Sequence, residues 1–180
     1  MRIRIDHADT IEEVLKVFRG FLWFAKRNQK SGKNYIKQIR HLGYMKYKFF
    51  DHTADAKFRA YGKTIEEKFA NAGVAMTAIM FNPKEIKNDI QKEINTSGKD
   101  MKQLLYNFLE ELLFLMDTEK FILKSAEKLK ITQNKKGFSL SGVLKGSRWK
   151  ESYEQQGQVK AATYAEMEIT DEYVQVVVDI

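Results

Sequence analysis

Hydrophobic and polar residues recur with two different periods along the chain, and the change of period separates predicted strands from predicted helices. Runs that alternate residue by residue predict strands, whereas apolar residues at every third or fourth position predict helices. The strand pattern covers 46–50, 56–61, 89–96, 121–132, 137–145, 157–169 and 172–179, and the helical pattern covers 64–80 and 100–115.

Each predicted helix begins with a capping signal. Thr64 is followed three residues later by Glu67, and Asp100 by Gln103, which is typical of a helix N-terminus. The only proline, Pro83, follows the first helix, where a helix stop is expected. Strands, two helices and then a run of strands predict an α+β fold in which mostly antiparallel sheets pack with two main helices.

The first 44 residues differ from the rest and predict two regions, a helical N-terminal extension (1–44) and a main domain (45–180). Thr10 to Glu13 forms another capping box, followed by apolar residues at helical spacing. Residues 1–44 contain ten Lys/Arg and four Asp/Glu, so they carry +6 of the net charge of +7. This extension is interpreted as a helical hairpin packed on the main domain or on another chain, as a basic arm for RNA or a protein, or as an addition without a role.

The composition excludes several classes of protein. The chain has no cysteine, which excludes disulfides, thiolate zinc sites and cysteine nucleophiles. It contains no glycine-rich phosphate loop, nucleophile elbow or paired-histidine metal motif. No run of apolar residues is long enough to cross a bilayer, and the N-terminus lacks the apolar segment of a signal peptide. We therefore expect a cytoplasmic protein that does not enter membranes.

Aspartates stand at two places where a strand meets a turn or the end of the sequence. Asp51 and Asp55 lie between the first two predicted strands, and Asp179 follows the apolar run of the last one. A carboxylate at the end of an apolar strand costs free energy unless a cation or a lysine accompanies it. Carboxylate oxygens suit Mg²⁺, Ca²⁺ or Mn²⁺ rather than zinc. The sequence alone leaves open whether these aspartates lie together or simply form turns.

Five separated segments of the main domain resemble the archease family in the order in which that family has them. They are 47–55, 61–67, 100–118, 159–164 and 176–180. Two positions depart from the pattern that is common in the family, with Ala165 in place of a histidine and Ser147 within a segment that is often Gly-Glu. Residues 1–44 have no counterpart in the short archeases.

The resemblance implies a protein that is not itself an enzyme. Archeases accompany RtcB-type RNA ligases, and they promote GTP-dependent guanylylation and multiple turnover of the ligase in tRNA splicing and RNA repair. The protein would then contact GTP and RNA only indirectly, through the ligase. The resemblance also implies a divalent metal site, with Ca²⁺, Mg²⁺ or Mn²⁺ held by Asp55 and Asp179, with Asp51 close by and the carboxylate of Ile180 as a further ligand.

Lys160 matches the lysine of the late family motif and is expected to contact phosphate, the ligase or one of the aspartates. The alternative interpretation of the whole chain is an RNA-binding or chaperone-like module that acts through the basic segment 1–44. That module would bind RNA in a salt-sensitive manner without Asp55 or Asp179.

Overall fold

The structure is a computed structural model that describes residues 45–50 and 55–180. The predicted helical extension over residues 1–44 and the predicted ligand Asp51 lie outside these described residues. Within them the chain forms eight strands and two helices. The strands are β1 (Tyr47–Phe50), β2 (Asp55–Tyr61), β3 (Ile90–Gly98), β4 (Phe121–Asn134), β5 (Gly137–Arg148), β6 (Ala161–Ala162), β7 (Glu168–Ile169) and β8 (Tyr173–Asp179), and the helices are α1 (Ile65–Met80) and α2 (Met101–Glu119).

Both helices begin where the capping signals predict. The Thr64 hydroxyl accepts a hydrogen bond from the amide of Glu67, and the Asp100 carboxylate accepts one from the amide of Gln103. In each case the side chain at the third helical position reaches one residue further back than in a standard capping box. Glu67 accepts from the amide of Lys63, and Gln103 accepts from the amide of Lys99. One free N–H group in the first turn of each helix, that of Glu67 or Gln103, is thereby partnered.

All described strand pairs are antiparallel, and they form two sheets. The larger sheet has the order β1-β2-β8-β6, with β7 also paired to β8, and the smaller sheet has the order β3-β5-β4. Strand β8 therefore lies inside the larger sheet, with β2 along one side and the short strands β6 and β7 along the other. The predicted α+β class, with two helices and antiparallel sheets, is confirmed for the described residues.

The two helices connect the sheets through a common apolar core. Helix α1 contacts β2 and β8 of the larger sheet and β4 of the smaller sheet, and α2 contacts all three strands of the smaller sheet as well as β6 and β7. Close packing at this junction requires Gly73, since a Cβ atom there would lie 2.8 Å from Cδ1 of Leu112 on α2. The fully buried side chains at the centre include Phe58, Phe69, Leu104, Leu105, Phe108 and Leu144.

The prediction of one continuous strand over 157–169 is wrong. Only Ala161–Ala162 and Glu168–Ile169 pair with β8, and a turn separates them. Thr163 causes the interruption, because its hydroxyl donates to the carbonyl oxygen of Val177 and accepts from the amide of Ala165. Such bonds from a threonine side chain to the main chain compete with a strand ladder.

The described helices carry no segment with the length and hydropathy that crossing a bilayer would need.

Candidate metal centre

Asp55 and Asp179 are brought together by the pairing of β2 with β8. Asp55, the first residue of β2, lies directly opposite Asp179, the last residue of β8. On the other side of β8, Ala161 of β6 lies opposite Asp179. Asp179 is thus the middle member of a row of three residues across the sheet, and its small neighbour Ala161 leaves space beside the carboxylates.

Alternation along the strands decides which face receives these carboxylates. Phe58 and Ala60 of β2, and Val176 and Val178 of β8, are buried toward the helices. Asp55 and Asp179 have the opposite parity, so both project from the face of the sheet away from the helices. Directly opposed residues have Cβ atoms about 5 Å apart, a spacing at which two like charges repel each other. A cation bound between the two carboxylates would offset this repulsion.

Lys160 binds the end of β8 through both its main chain and its side chain. Its amide donates to the carbonyl oxygen of Asp179 at 2.8 Å. Its ammonium donates to the main-chain oxygen of Ile180 at 2.8 Å and lies 3.8 Å from Oδ1 of Asp179. The side chains of Lys160 and Asp179 are 59% and 51% exposed, so their ion pair adds little to stability. Its effect is local, because it places one positive charge beside the carboxylate pair.

The donor set fits a hard divalent cation that keeps part of its water shell. The two carboxylates and the main-chain oxygen of Ile180 supply only oxygen, which Mg²⁺, Ca²⁺ and Mn²⁺ prefer. Residues 45–50 and 55–180 contain no group of three or more His, Cys, Asp or Glu residues arranged for a metal. A site of this kind resembles magnesium sites in which one or two carboxylates share the ion with water and phosphate.

Sequence reasoning missed the residues that hold the lysine segment in place. The Glu110 carboxylate of α2 accepts from the amide of Ala162 at 2.8 Å, and the Tyr106 ring stacks on Tyr164 with centroids 4.6 Å apart. The periodicity of α2 placed Glu110 simply on its polar side, and no signal in the sequence connected it with the late segment. Burial, Tyr106 and Asp100 raise the pKa of Tyr164, so its hydroxyl remains neutral at physiological pH.

A buried lysine fixes the opposite end of β8. Lys68 of α1 is 5% exposed, and its ammonium donates to the carbonyl oxygens of Thr170 and Asp171 at 2.8 and 2.7 Å. These two residues form the turn that enters β8. Burial lowers the pKa of Lys68, and the Asp171 charge partly opposes that effect. Helix α1 is therefore bonded directly to the turn that precedes the strand ending at Asp179.

The two positions that depart from the family pattern have different surroundings. Ser147 is completely buried, and its hydroxyl accepts from the Tyr153 hydroxyl at 3.1 Å. Tyr153 also accepts from the amide of Lys87, so this cluster joins two loops on the smaller sheet. Ala165 lies exposed in the turn after Thr163. Neither position adjoins Asp179 in the strand register, which leaves the carboxylate pair intact.

Comparison with known proteins agrees with this fold. The family model described as the Archease protein family matches residues 47–180. A protein archease from Methanothermobacter thermautotrophicus is 43% identical over 126 residues, which cover 70% of this chain and 89% of that relative. A protein archease from Methanosarcina barkeri is 36% identical over 139 residues, which cover 74% of this chain and 95% of the relative.

A solved structure gives the same result. The solution structure of Methanobacterium thermoautotrophicum protein 1598 superposes with a TM-score of 0.64 at 34% sequence identity, covering 75% of this chain and 99% of that one. The molecule is thus an α+β protein of two antiparallel sheets joined by two helices, with a pair of carboxylates at one end of the larger sheet. The chain belongs to the archease family.

Proposed function

We propose that this protein is an accessory factor of an RtcB-type RNA ligase and that it promotes GTP-dependent guanylylation and multiple turnover of that ligase. Family membership supports the partner, since archeases are generally non-catalytic accessory proteins. The observation that carries the site is the register of β2 and β8, which sets Asp55 opposite Asp179 on the face of the sheet away from the helices. We propose these two carboxylates as the ligands of a divalent cation, with the main-chain oxygen of Ile180 next to them.

The chain's own residues would act by position and charge. Nucleotidyl transfer depends largely on the orientation of phosphates and on neutralisation of their charge, which a divalent cation supplies when it is bound. Asp55 and Asp179 would hold that charge at the rim of the protein, where a partner can reach it. Both lie at the end of paired strands, so their main chains are fixed before a partner arrives.

Lys160 has two proposed roles at this edge. Its ammonium balances part of the negative charge of Asp179 while no cation is present. Because it is more than half exposed, it can also turn toward a phosphate of the bound partner. In both roles it stays within reach of the carboxylate pair, since its main chain is bonded to Asp179.

The test is RNA ligation by the cognate ligase under multiple turnover, with GTP and Mg²⁺ or Mn²⁺, in the presence and absence of this protein. Labelling of the ligase with radioactive GMP measures the guanylylation step directly. We expect the wild-type protein to accelerate both, and Asp179→Asn to remove most of the acceleration. Asp171→Asn is the matched control, because it changes an aspartate at the other end of β8.

The outcomes separate the alternatives. Acceleration by wild type and by Asp171→Asn, but not by Asp179→Asn, supports both the partner and the metal site. Equal acceleration by all three proteins would support the partner and remove the metal site. No effect of the wild-type protein would contradict the proposed function and favour the RNA-binding alternative, which salt-dependent RNA binding by the full chain would then test.

A further inference from the structure

Several large apolar side chains are exposed on helix α2, after β6 and at the end of β8. Among the described residues, five large hydrophobic side chains are exposed, and three of them are Phe114, Tyr164 and Ile180. Their exposed fractions are 58%, 50% and 44%. Single exposed apolar residues are common, but adjoining ones mark surfaces that bind other molecules. Whether these three residues form a binding surface therefore depends on their relative positions.

Two contacts align helix α2 with the segment around β6. Tyr106 stacks on Tyr164, with ring planes 11° apart, and one helical turn further the Glu110 carboxylate binds the amide of Ala162. Four helical residues advance about 6 Å and two extended residues about 6.6 Å, so the two segments run antiparallel and nearly in step. Continued by one more turn of α2, this alignment predicts that Phe114 lies level with Lys160, whose ammonium bonds to Ile180.

We use the name α2–β6 strip for the residues along this alignment: Tyr106, Glu110, Phe114, Lys160, Tyr164 and Ile180. It begins at the stacked tyrosines and ends at Lys160, beside the predicted metal ligand Asp179. Aromatic residues of this kind, half-exposed and supported from beneath, are frequent energetic centres of protein interfaces.

The charge of α2 indicates the kind of partner. Between Gln103 and Thr118 the helix has three acidic residues, Glu110, Glu111 and Asp117, and no basic one, although the whole chain carries +7. Lys102 lies in the first turn of the helix, and Glu119 at its end is paired with Lys92. Within the strip, Lys160 is the one basic residue, and its ammonium is directed to Asp179 and Ile180. An acidic surface repels the phosphates of RNA. RNA whose bases stack on these tyrosines is therefore a poor candidate for the ligand of the strip. The complementary partner of the strip is a protein surface with positive charge around an apolar recess.

We propose that the α2–β6 strip is the surface with which this protein docks on the positively charged rim of the ligase's phosphate-binding cleft. This inference rests on the proposed function and adds the surface that positions the carboxylate pair. An enzyme that binds GTP and RNA ends needs a positive cleft, which fits the acidic face of α2. The strip ends at Lys160, whose ammonium bonds to Ile180 and lies 3.8 Å from the Asp179 carboxylate, so docking along it brings this end of β8 close to the cleft.

The experiment measures the affinity of the full chain for the purified cognate ligase, by calorimetry or by surface-immobilised binding. We expect Phe114→Ala and Tyr164→Ala each to weaken binding about tenfold or more, since both remove a large exposed side chain from the strip. Phe49→Ala is the matched control, because Phe49 is also exposed but belongs to β1, at the far edge of the larger sheet. Circular dichroism establishes that each variant is folded.

A charge variant tests the strip without truncating a packed side chain. Asp117→Lys changes an exposed residue near the end of α2. We expect it to lower the association rate severalfold and to reduce the dependence of that rate on salt. Unchanged kinetics would contradict a positively charged docking site.

Failure of this proposal can be distinguished from failure of the proposed function. If wild type accelerates ligation and the Phe114 and Tyr164 variants bind as tightly as wild type, the strip is not the interface although the accessory role stands. If wild type neither binds the ligase nor accelerates it, both proposals are overturned. Loss of RNA affinity in Tyr164→Ala, without loss of ligase affinity, would assign the strip to RNA and overturn protein docking.

Discussion

Asp55 lies directly opposite Asp179 in the ladder between β2 and β8, so two carboxylates that are distant in the sequence share one face at one end of the sheet. The pairing of the main chains sets their spacing. Five predictions concern these residues and the contacts that hold them.

Divalent cations should stabilise the wild-type protein, and this effect should depend on the carboxylate pair. A ligand that binds only the folded state adds about 2.7 kcal/mol at one hundred times its dissociation constant. We expect Mg²⁺, Mn²⁺ or Ca²⁺ to raise the melting temperature of wild type and of Asp171→Asn, measured by calorimetry. Asp55→Asn and Asp179→Asn should lose most of the increase. An undiminished increase in both variants would show that the cation binds elsewhere.

Lys160→Met should bind the cation more tightly than wild type. The Lys160 ammonium lies 3.8 Å from the Asp179 carboxylate and competes with a metal for it. Exposed pairs of this kind contribute about 0.2–1 kcal/mol, so the gain in metal affinity should reach at most about fivefold. Calorimetric titration with Mn²⁺ measures it, and Lys63→Met, an exposed lysine before α1, should leave the affinity unchanged. Weaker metal binding in Lys160→Met would mean that Lys160 assists the site.

Glu110→Ala should loosen β6, whereas Glu110→Gln should not. The Glu110 carboxylate accepts from the amide of Ala162, and the amide oxygen of glutamine can accept the same bond. We expect Glu110→Ala to lower the free energy of unfolding by about 1–2 kcal/mol. Hydrogen exchange should show faster exchange of the Ala162 amide in this variant. Equal protection of that amide in both variants would mean that the bond contributes nothing to the order of β6.

Lys68→Met should destabilise the protein by about 1–3 kcal/mol, because it leaves the carbonyl oxygens of Thr170 and Asp171 without their buried donor. Urea denaturation measures the change. Lys63→Met again provides a control with an exposed lysine. A Lys68→Met variant as stable as wild type would show that the turn before β8 keeps its conformation without the hydrogen bonds from Lys68.

The loss of stability caused by Lys68→Met should increase with pH. Burial lowers the pKa of Lys68 in the folded protein below the value of about 10.4 in the unfolded chain. Between these two values the unfolded chain binds more protons, so the contribution of Lys68 to stability increases as the pH rises through this window. The cost of Lys68→Met should therefore be larger at pH 10.5 than at pH 7, and the opposite order would contradict the lowered pKa.

Local signals in the sequence predicted the parts of the fold that depend on neighbouring residues. Thr64 and Asp100 start their helices because their side chains bond to amides three residues away. The apolar stripe of α2 is buried because its spacing matches the helical period. By contrast, the strand predicted over 157–169 is interrupted by a turn in which the Thr163 hydroxyl bonds to Val177 of β8, a partner distant in the sequence.

The candidate site was harder to predict, because it depends on the register of strands. The sequence indicated Asp55 and Asp179 separately as strand-end carboxylates, and the structure shows that they are opposed. The resemblance indicated Lys160, and the structure adds its bond to Ile180. Glu110, Tyr106 and Lys68 gave no signal, because their partners are main-chain atoms or rings brought near only by folding.

The alignment of β8 with β2 also has a consequence for misfolded and partly folded forms of the chain. Because side chains alternate between faces, a slip of β8 by a single residue would turn Asp179 toward the helices and remove it from Asp55. No intermediate alignment would preserve half of the carboxylate pair. Cation binding at the proposed site would therefore be a yes-or-no reporter of correct strand alignment, applicable to refolding experiments and to destabilised variants in which the overall secondary structure is unchanged.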